Sequence, residues 1–109
     1  MVEMITEATI VQGDYGQYLE FVLYESDSET LYDLTNATTV TIHLKKYGES
    51  TLTIDNTCNI YSTSGTIRYT LEDGDTDKVG KYIGDIEVIE PGAITTWTPF
   101  WVDIIEEVG

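Results

Sequence analysis

Asp73, Asp75 and Asp77 stand at alternate positions in the run DGDTD, a spacing at which loop carboxylates gather around calcium. No glutamate follows where an EF-hand loop places its bidentate ligand, and Lys78 adds a positive charge to the run. These residues read as an acidic turn, and no metal is expected. His43, the one histidine, falls on an outward strand face between Thr41 and Lys45, and a zinc site needs several such ligands. Cys58 lies on the opposite parity of another strand, shares its face with Ile60, and reads as a small buried hydrophobe without a histidine to activate it. Asn36-Ala37-Thr38 matches a glycosylation sequon but sits inside a turn motif. Twenty carboxylates offer many pairs for glycoside hydrolysis, yet no aromatic cleft motif marks one. No catalytic residue, no cofactor and no enzymatic activity are expected.

The elements that position these groups are strands. Val40, Ile42 and Leu44 alternate with Thr41, His43 and Lys45, and Ile67, Tyr69 and Leu71 alternate with polar neighbours in the same way. Leu19, Phe21 and Leu23 share one face of a strand over residues 17–25. Tyr82, Gly84, Ile86 and Val88 share one face of another. Shorter strands are expected at 9–12, 51–54 and 57–61, and a last one at 95–106, interrupted by Pro99, which cannot donate to a ladder. Helical periodicity is missing throughout. Seven or eight short strands with a turn about every ten residues predict an antiparallel β-sandwich, one domain over residues 1–109.

The chain carries 20 acidic and 5 basic residues, a net charge of −15 spread over its length. Such a field repels phosphate backbones and anionic membrane surfaces, so neither nucleic acid nor membrane is an expected partner. A single cysteine excludes an internal disulfide framework. The start MVEMITEAT lacks the basic and apolar regions of a signal peptide, and no apolar run nears the roughly 20 residues of a membrane helix. Synthesis in the cytoplasm is expected.

Asp77, Gly80 and Tyr82 form an Asp-x-x-Gly-x-Tyr lead into a strand, which resembles the tyrosine corner of Ig-like sandwiches, where the phenol bonds back to the corner's backbone. Other phrases join it in order: GDYG at Gly13–Gly16, DLTNAT at Asp33–Thr38 leading into VTIHLKK, GTIRYTL at Gly65–Leu71, DTDKVGKY at Asp75–Tyr82, and a proline before the last strand. Together they resemble the N-terminal Ig-like domain of the phage baseplate upper protein family over nearly the whole chain. Their physical roles stand independently. Gly13 and Gly16 permit backbone angles closed to other residues, Asp33 and Asn36 bracket a turn, and Leu34 and Ala37 tuck beneath the sandwich. The resemblance implies a virion structural component, made in the host cytoplasm, whose partners are other virion proteins of capsid, tail or baseplate, with a homo-oligomer as a further possibility. Because the sequence stops at Gly109, a stand-alone copy is expected, such as a capsid decoration or head-fibre protein or a tail adaptor.

Trp97, Phe100 and Trp101 cluster around Pro99, while Tyr15, Tyr18, Tyr24, Tyr32, Tyr47 and Tyr61 are scattered. If Phe100, Val102 and Ile104 face inward, Trp101 and Ile105 face outward beside Ile83 and Ile89 of the preceding strand. That stripe of Ile83, Ile89, Trp101 and Ile105 is the candidate partner interface. A bulge at Pro99 that buries Trp101 stands as the other reading. A second function class also stays open: a carbohydrate-binding module that stacks host-surface glycans on Trp97, Trp101 and surface tyrosines.

Overall fold

Threonine, isoleucine, tyrosine and valine suit a pleated surface buried on one side. The computed structural model describes residues 7–27 and 29–108, and every regular element among them is a strand. In chain order these are β1 (Glu7–Val11), β2 (Tyr18–Val22), β3 (Thr39–Lys46), β4 (Leu52–Thr57), β5 (Asn59–Ser62), β6 (Thr66–Thr70), β7 (Gly80–Glu90) and β8 (Ala93–Ile105). They form a five-stranded sheet in the order β1-β8-β7-β3-β4 and a three-stranded sheet in the order β2-β6-β5. The architecture is an all-β sandwich. Most of the start MVEMITEAT lies outside the described residues.

One pairing corrects the expectation of an antiparallel sandwich: β1 runs parallel to β8, with Glu7 beside Trp101 and Val11 beside Ile105. Alternation reveals which face a residue takes, not which way its neighbour runs. A hairpin turn forces antiparallel pairing, but β1 meets β8 across nearly the whole chain and no turn joins them.

The inward faces follow the alternation. Val40, Ile42 and Leu44 of β3, Ile67 and Tyr69 of β6, and Tyr82, Ile86 and Val88 of β7 are all buried. Phe21 of β2 meets Phe100 of β8 at 4.8 Å between ring centroids, joining the two sheets through the core. Leu34 is buried beneath the upper loops, where Asp33 Oδ1 accepts the amide and hydroxyl of Thr35 to close the turn. Those two bonds, chiefly the hydroxyl's, hold the Asp33 carboxyl below the usual carboxylate range. Gly65, at φ 93°, joins β5 to β6, and a Cβ there would lie 2.7 Å from the Leu23 carbonyl oxygen.

The strand expected over 57–61 is in fact divided. β4 ends at Thr57 in one sheet and β5 begins at Asn59 in the other, so the chain changes sheets at Cys58, whose N–H donates to the Val40 carbonyl at 2.8 Å. Burial pushes the Cys58 thiol up to about 12, which leaves it without thiolate near neutral pH.

β8 carries the feature that decides the candidate surface. Gly84 pairs with Phe100 and Ile86 with Trp97, so two steps along β7 match three along β8. The extra residue falls at Thr98–Pro99, a cis peptide. Such a bulge reverses the parity of the strand. Phe100, Val102 and Ile104 point inward below it, and Trp97 points inward above it. Gly84 faces Phe100 from the middle of the sheet, and a Cβ there would lie 2.4 Å from Phe100 Cζ and 2.5 Å from the His43 carbonyl oxygen.

Candidate interface on the five-stranded sheet

The outward face of the larger sheet is built from residues whose side chains alternate away from the core. Leu52 of β4 pairs with Lys45 of β3, Lys45 with Ile83 of β7, and Ile83 with Trp101 of β8. Tyr47, in the turn after β3, brings its ring to 5.6 Å from that of Trp101, and Lys81 Nζ stands 4.7 Å above the indole. Trp101 and Ile83 are half-buried, Leu52 is 43% exposed and Tyr47 64%. The result is a row across four strands, apolar at Leu52, Ile83 and Trp101, with Lys45 as its β3 member and Lys81 over the indole. Ammonium over indole is a favourable contact that also fixes the ring's orientation.

The expected stripe is shorter than its four residues suggested. Ile83 and Trp101 are direct partners, but Asp85 and Glu87 separate Ile83 from Ile89 on the same face. Ile89 instead pairs with the exposed Ile94 beside the Pro91–Gly92 turn. Asp103 separates Trp101 from Ile105, which lies next to Val11 of β1. Ile89 and Ile105 therefore fall outside the Trp101 patch, because the outward parity that carries the apolar residues also carries these carboxylates.

Trp97 departs from the expected glycan platform. It is fully buried, its Nε1 donates to the Tyr24 carbonyl at 3.0 Å, and Tyr32 meets it edge-on at 4.7 Å. The bulge is the reason: without the extra residue Trp97 and Trp101 would share the outward face. Trp101 alone remains there.

His43 occupies the middle of this face between two carboxylates, with Nδ1 2.8 Å from Asp85 Oδ1 and Nε2 3.4 Å from Asp55 Oδ1. Both are cross-strand neighbours in register, so the cluster follows from strand pairing. Among the described residues no three histidine, cysteine or acidic side chains are grouped as metal ligands.

The acidic corner before β7 is bound inward. Asp75 Oδ2 accepts the Tyr69 hydroxyl at 2.6 Å and the Glu72 amide at 2.9 Å. Burial first, and the bond to Asp75 second, push the Tyr69 phenol well above its usual range. The buried Thr76 donates its hydroxyl to the Asp14 carbonyl, and Asp77 enters through its backbone, accepting Gln12 Nε2 at 2.7 Å. Gly80 opens β7, and two residues on, the Tyr82 hydroxyl donates to the Lys78 carbonyl at 2.7 Å, closing the corner. A cleft of about 300 Å³ between this corner and the β3–β4 turn holds Lys46, Lys78, Glu49, Asp75 and Asp77, a mixture of both signs.

A second aromatic group is built around an arginine that the sequence did not single out. On the outward face of the smaller sheet Arg68 lies between Tyr18 and Tyr61, with its guanidinium carbon 4.2 and 3.5 Å from the two ring centroids. The shared outward parity of Tyr18, Glu20 and Arg68 was visible in the sequence. Tyr61 shares the parity of Asn59, the partner of Arg68, but the closing of its ring over the guanidinium was not visible.

No family model matches the chain, and no curated protein matches its sequence. Among solved structures, an endo-β-1,4-mannanase from Thermotoga petrophila is similar over 97% of this chain, with a TM-score of 0.55 and 12% identity. The likeness is one of fold. The chain spans 20% of that enzyme's length.

Proposed function

We propose that this chain is a non-enzymatic structural module of a tailed-phage particle, a capsid decoration or a tail or baseplate adaptor, that docks onto neighbouring subunits through the Trp101 end of its five-stranded sheet. The observation that carries the docking half is the outward indole itself, paired with Ile83 and continued by Leu52 and Tyr47. Tryptophan and tyrosine are the side chains most often found at the energetic centre of interfaces. The particle half rests on the ordered phrases that resemble the baseplate upper protein family. A non-enzymatic role is supported by how the polar groups are used: Asp75 and Thr76 hold the corner, Asp33 holds a turn, and His43 is taken up between two aspartates. A rigid sheet presents the surface preformed, so docking orders little of the chain. The acidic remainder keeps the free subunit soluble.

The test is co-expression with the products of the adjacent genes, read by size-exclusion chromatography with light scattering. Trp101→Ala should abolish co-elution with one of them while the thermal midpoint stays within a few degrees. A central tryptophan is worth about 2 kcal/mol or more, roughly thirtyfold in affinity. Co-elution that survives both Trp101→Ala and Ile83→Ser would exclude this surface.

A further inference from the structure

The smaller sheet presents a second surface on the opposite side of the sandwich. Glu20, Arg68 and Asn59 are direct cross-strand neighbours on β2, β6 and β5. Arg68 Nε donates to Glu20 Oε2 at 2.7 Å, the one hydrogen bond of this guanidinium among the described residues. The register of β5 shifts between Ile60 and Ser62, and the residue so displaced, Tyr61, closes over the guanidinium from one side while Tyr18 flanks it at 4.2 Å. Tyr61 remains 62% exposed and Tyr18 52%. The two rings and the ion pair hold the planar guanidinium in place with its Nη donors left over.

Charge and size restrict what this surface can take. The Glu20–Arg68 pair is neutral, in a chain of net charge −15. A carboxylate or phosphate approaching Arg68 would meet Glu20 at contact distance within an acidic field, so the leftover donors suit uncharged acceptors. The backbone of the three short strands spans only about 10 by 13 Å, a footprint that matches a small ligand. Exposed aromatic faces beside fixed hydrogen-bond donors match a small ligand that is apolar on its ring faces and rich in hydroxyls at its edges. Arginine's fork can donate to two adjacent hydroxyl oxygens at once. The negative faces of tyrosine rings favour the slightly positive C–H groups of a sugar ring.

We propose that Tyr18, Arg68 and Tyr61 form a binding site for a neutral saccharide, which packs its C–H face on the tyrosines and accepts hydrogen bonds from the Arg68 Nη groups. The site lies on the other sheet from the Trp101 docking surface, with Tyr18 and Glu20 meeting Trp101 only at the rim of a small pocket between the sheets. A particle subunit built this way would hold its neighbours with one face and meet glycans with the other.

The experiment combines a glycan array carrying neutral and acidic glycans with affinity electrophoresis through gels containing soluble β-mannan, xylan, hydroxyethyl cellulose or polygalacturonate. Binding to at least one neutral glycan is expected. It should weaken about tenfold or more in Tyr61→Ala, which removes a stacked ring, and similarly in Arg68→Lys, which keeps the charge and loses the fork. Tyr61→Phe should retain binding, and Ile83→Ser should leave it unchanged, which separates this site from the docking surface. Near-ultraviolet circular dichroism of each variant checks the fold. Absence of any neutral glycan signal, retardation by polygalacturonate alone, binding of extended peptides in place of glycans, or retention that persists in both Tyr61→Ala and Arg68→Lys would each overturn the proposal.

Discussion

Gly84→Ala adds one methyl group at a position with no space to receive it. The new Cβ would lie 2.4 and 2.7 Å from two atoms of the Phe100 ring and 2.5 Å from the His43 carbonyl oxygen. Ordinary contact lies near 3.5 Å or beyond, so neighbours must retreat by about 1 Å. Neither can do so freely. The His43 oxygen belongs to β3, which is paired with β7 on one side and β4 on the other. Phe100 is packed against Phe21 across the core. Overpacking of this kind costs about 1–3 kcal/mol, and the double obstruction argues for the upper half of that range. The reduced backbone freedom of the unfolded alanine chain offsets about 0.4–1 kcal/mol. A net loss of about 2 kcal/mol should lower the melting midpoint by about 8 °C in a domain of this size. Urea unfolding at constant slope is the measurement, repeated for Phe100→Leu and for the double variant. The double variant should lose less than the sum of the singles, since a smaller side chain opposite relieves part of the clash. A Gly84→Ala protein within about 0.5 kcal/mol of the parent, or strictly additive losses, would refute the reasoning.

Two further outcomes follow from the corner and the buried phenols. Tyr82→Phe removes the donor to the Lys78 carbonyl and should cost about 1–2 kcal/mol with an unchanged urea slope; an effect below about 0.3 kcal/mol would mean the hydroxyl does not fasten the corner. Tyr32, Tyr69 and Tyr82 all have phenols pushed above the usual value of 10.0, in each case chiefly by burial. The folded protein therefore holds these protons more tightly than the unfolded chain does. The stabilisation is complete below pH 10 and is lost as the pH rises from there through the folded-state values. Absorbance titration should show these three of the eight tyrosines ionising last, together with unfolding, and a single simple titration of all eight would contradict it.

Much of the fold was legible because the buried face of a strand writes itself into every second residue. The inward sets of β3, β6 and β7 are the ones the alternation marks, and β7 and β8 are neighbours as a Pro-Gly turn between them suggests. Three things were not legible, each for its own reason. The parallel run of β1 beside β8 involves no turn. The change of sheet at Cys58 carries no glycine or proline, since strands that cross from one sheet to the other need only a local break in pairing. The place of Trp97 depends on a single extra residue at Thr98–Pro99, and a proline announces that a ladder is interrupted without saying which side changes face. The candidate surface was legible in part. Trp101 and Ile83 followed from parity, but the gaps between them and Ile105 and Ile89 required the register. The Tyr18–Arg68–Tyr61 group required knowing which strands flank β6, since Tyr18 and Tyr61 come to Arg68 from opposite sides.

The parallel seam between β1 and β8 sets a timetable for the molecule. The β7–β8 hairpin closes over the two residues Pro91 and Gly92, so it can form early and locally. β1 must wait for a loop that embraces nearly the entire polypeptide, because Glu7 finds its place only beside Trp101. Long-range pairings of this sort slow a chain into the millisecond-to-second regime typical of sandwiches. During that interval the edge of β8 stands open next to the indole that becomes the outward patch. β1 thus acts as the clasp of the fold, fastened late, and once shut it covers the edge along which unfinished chains would otherwise adhere to one another.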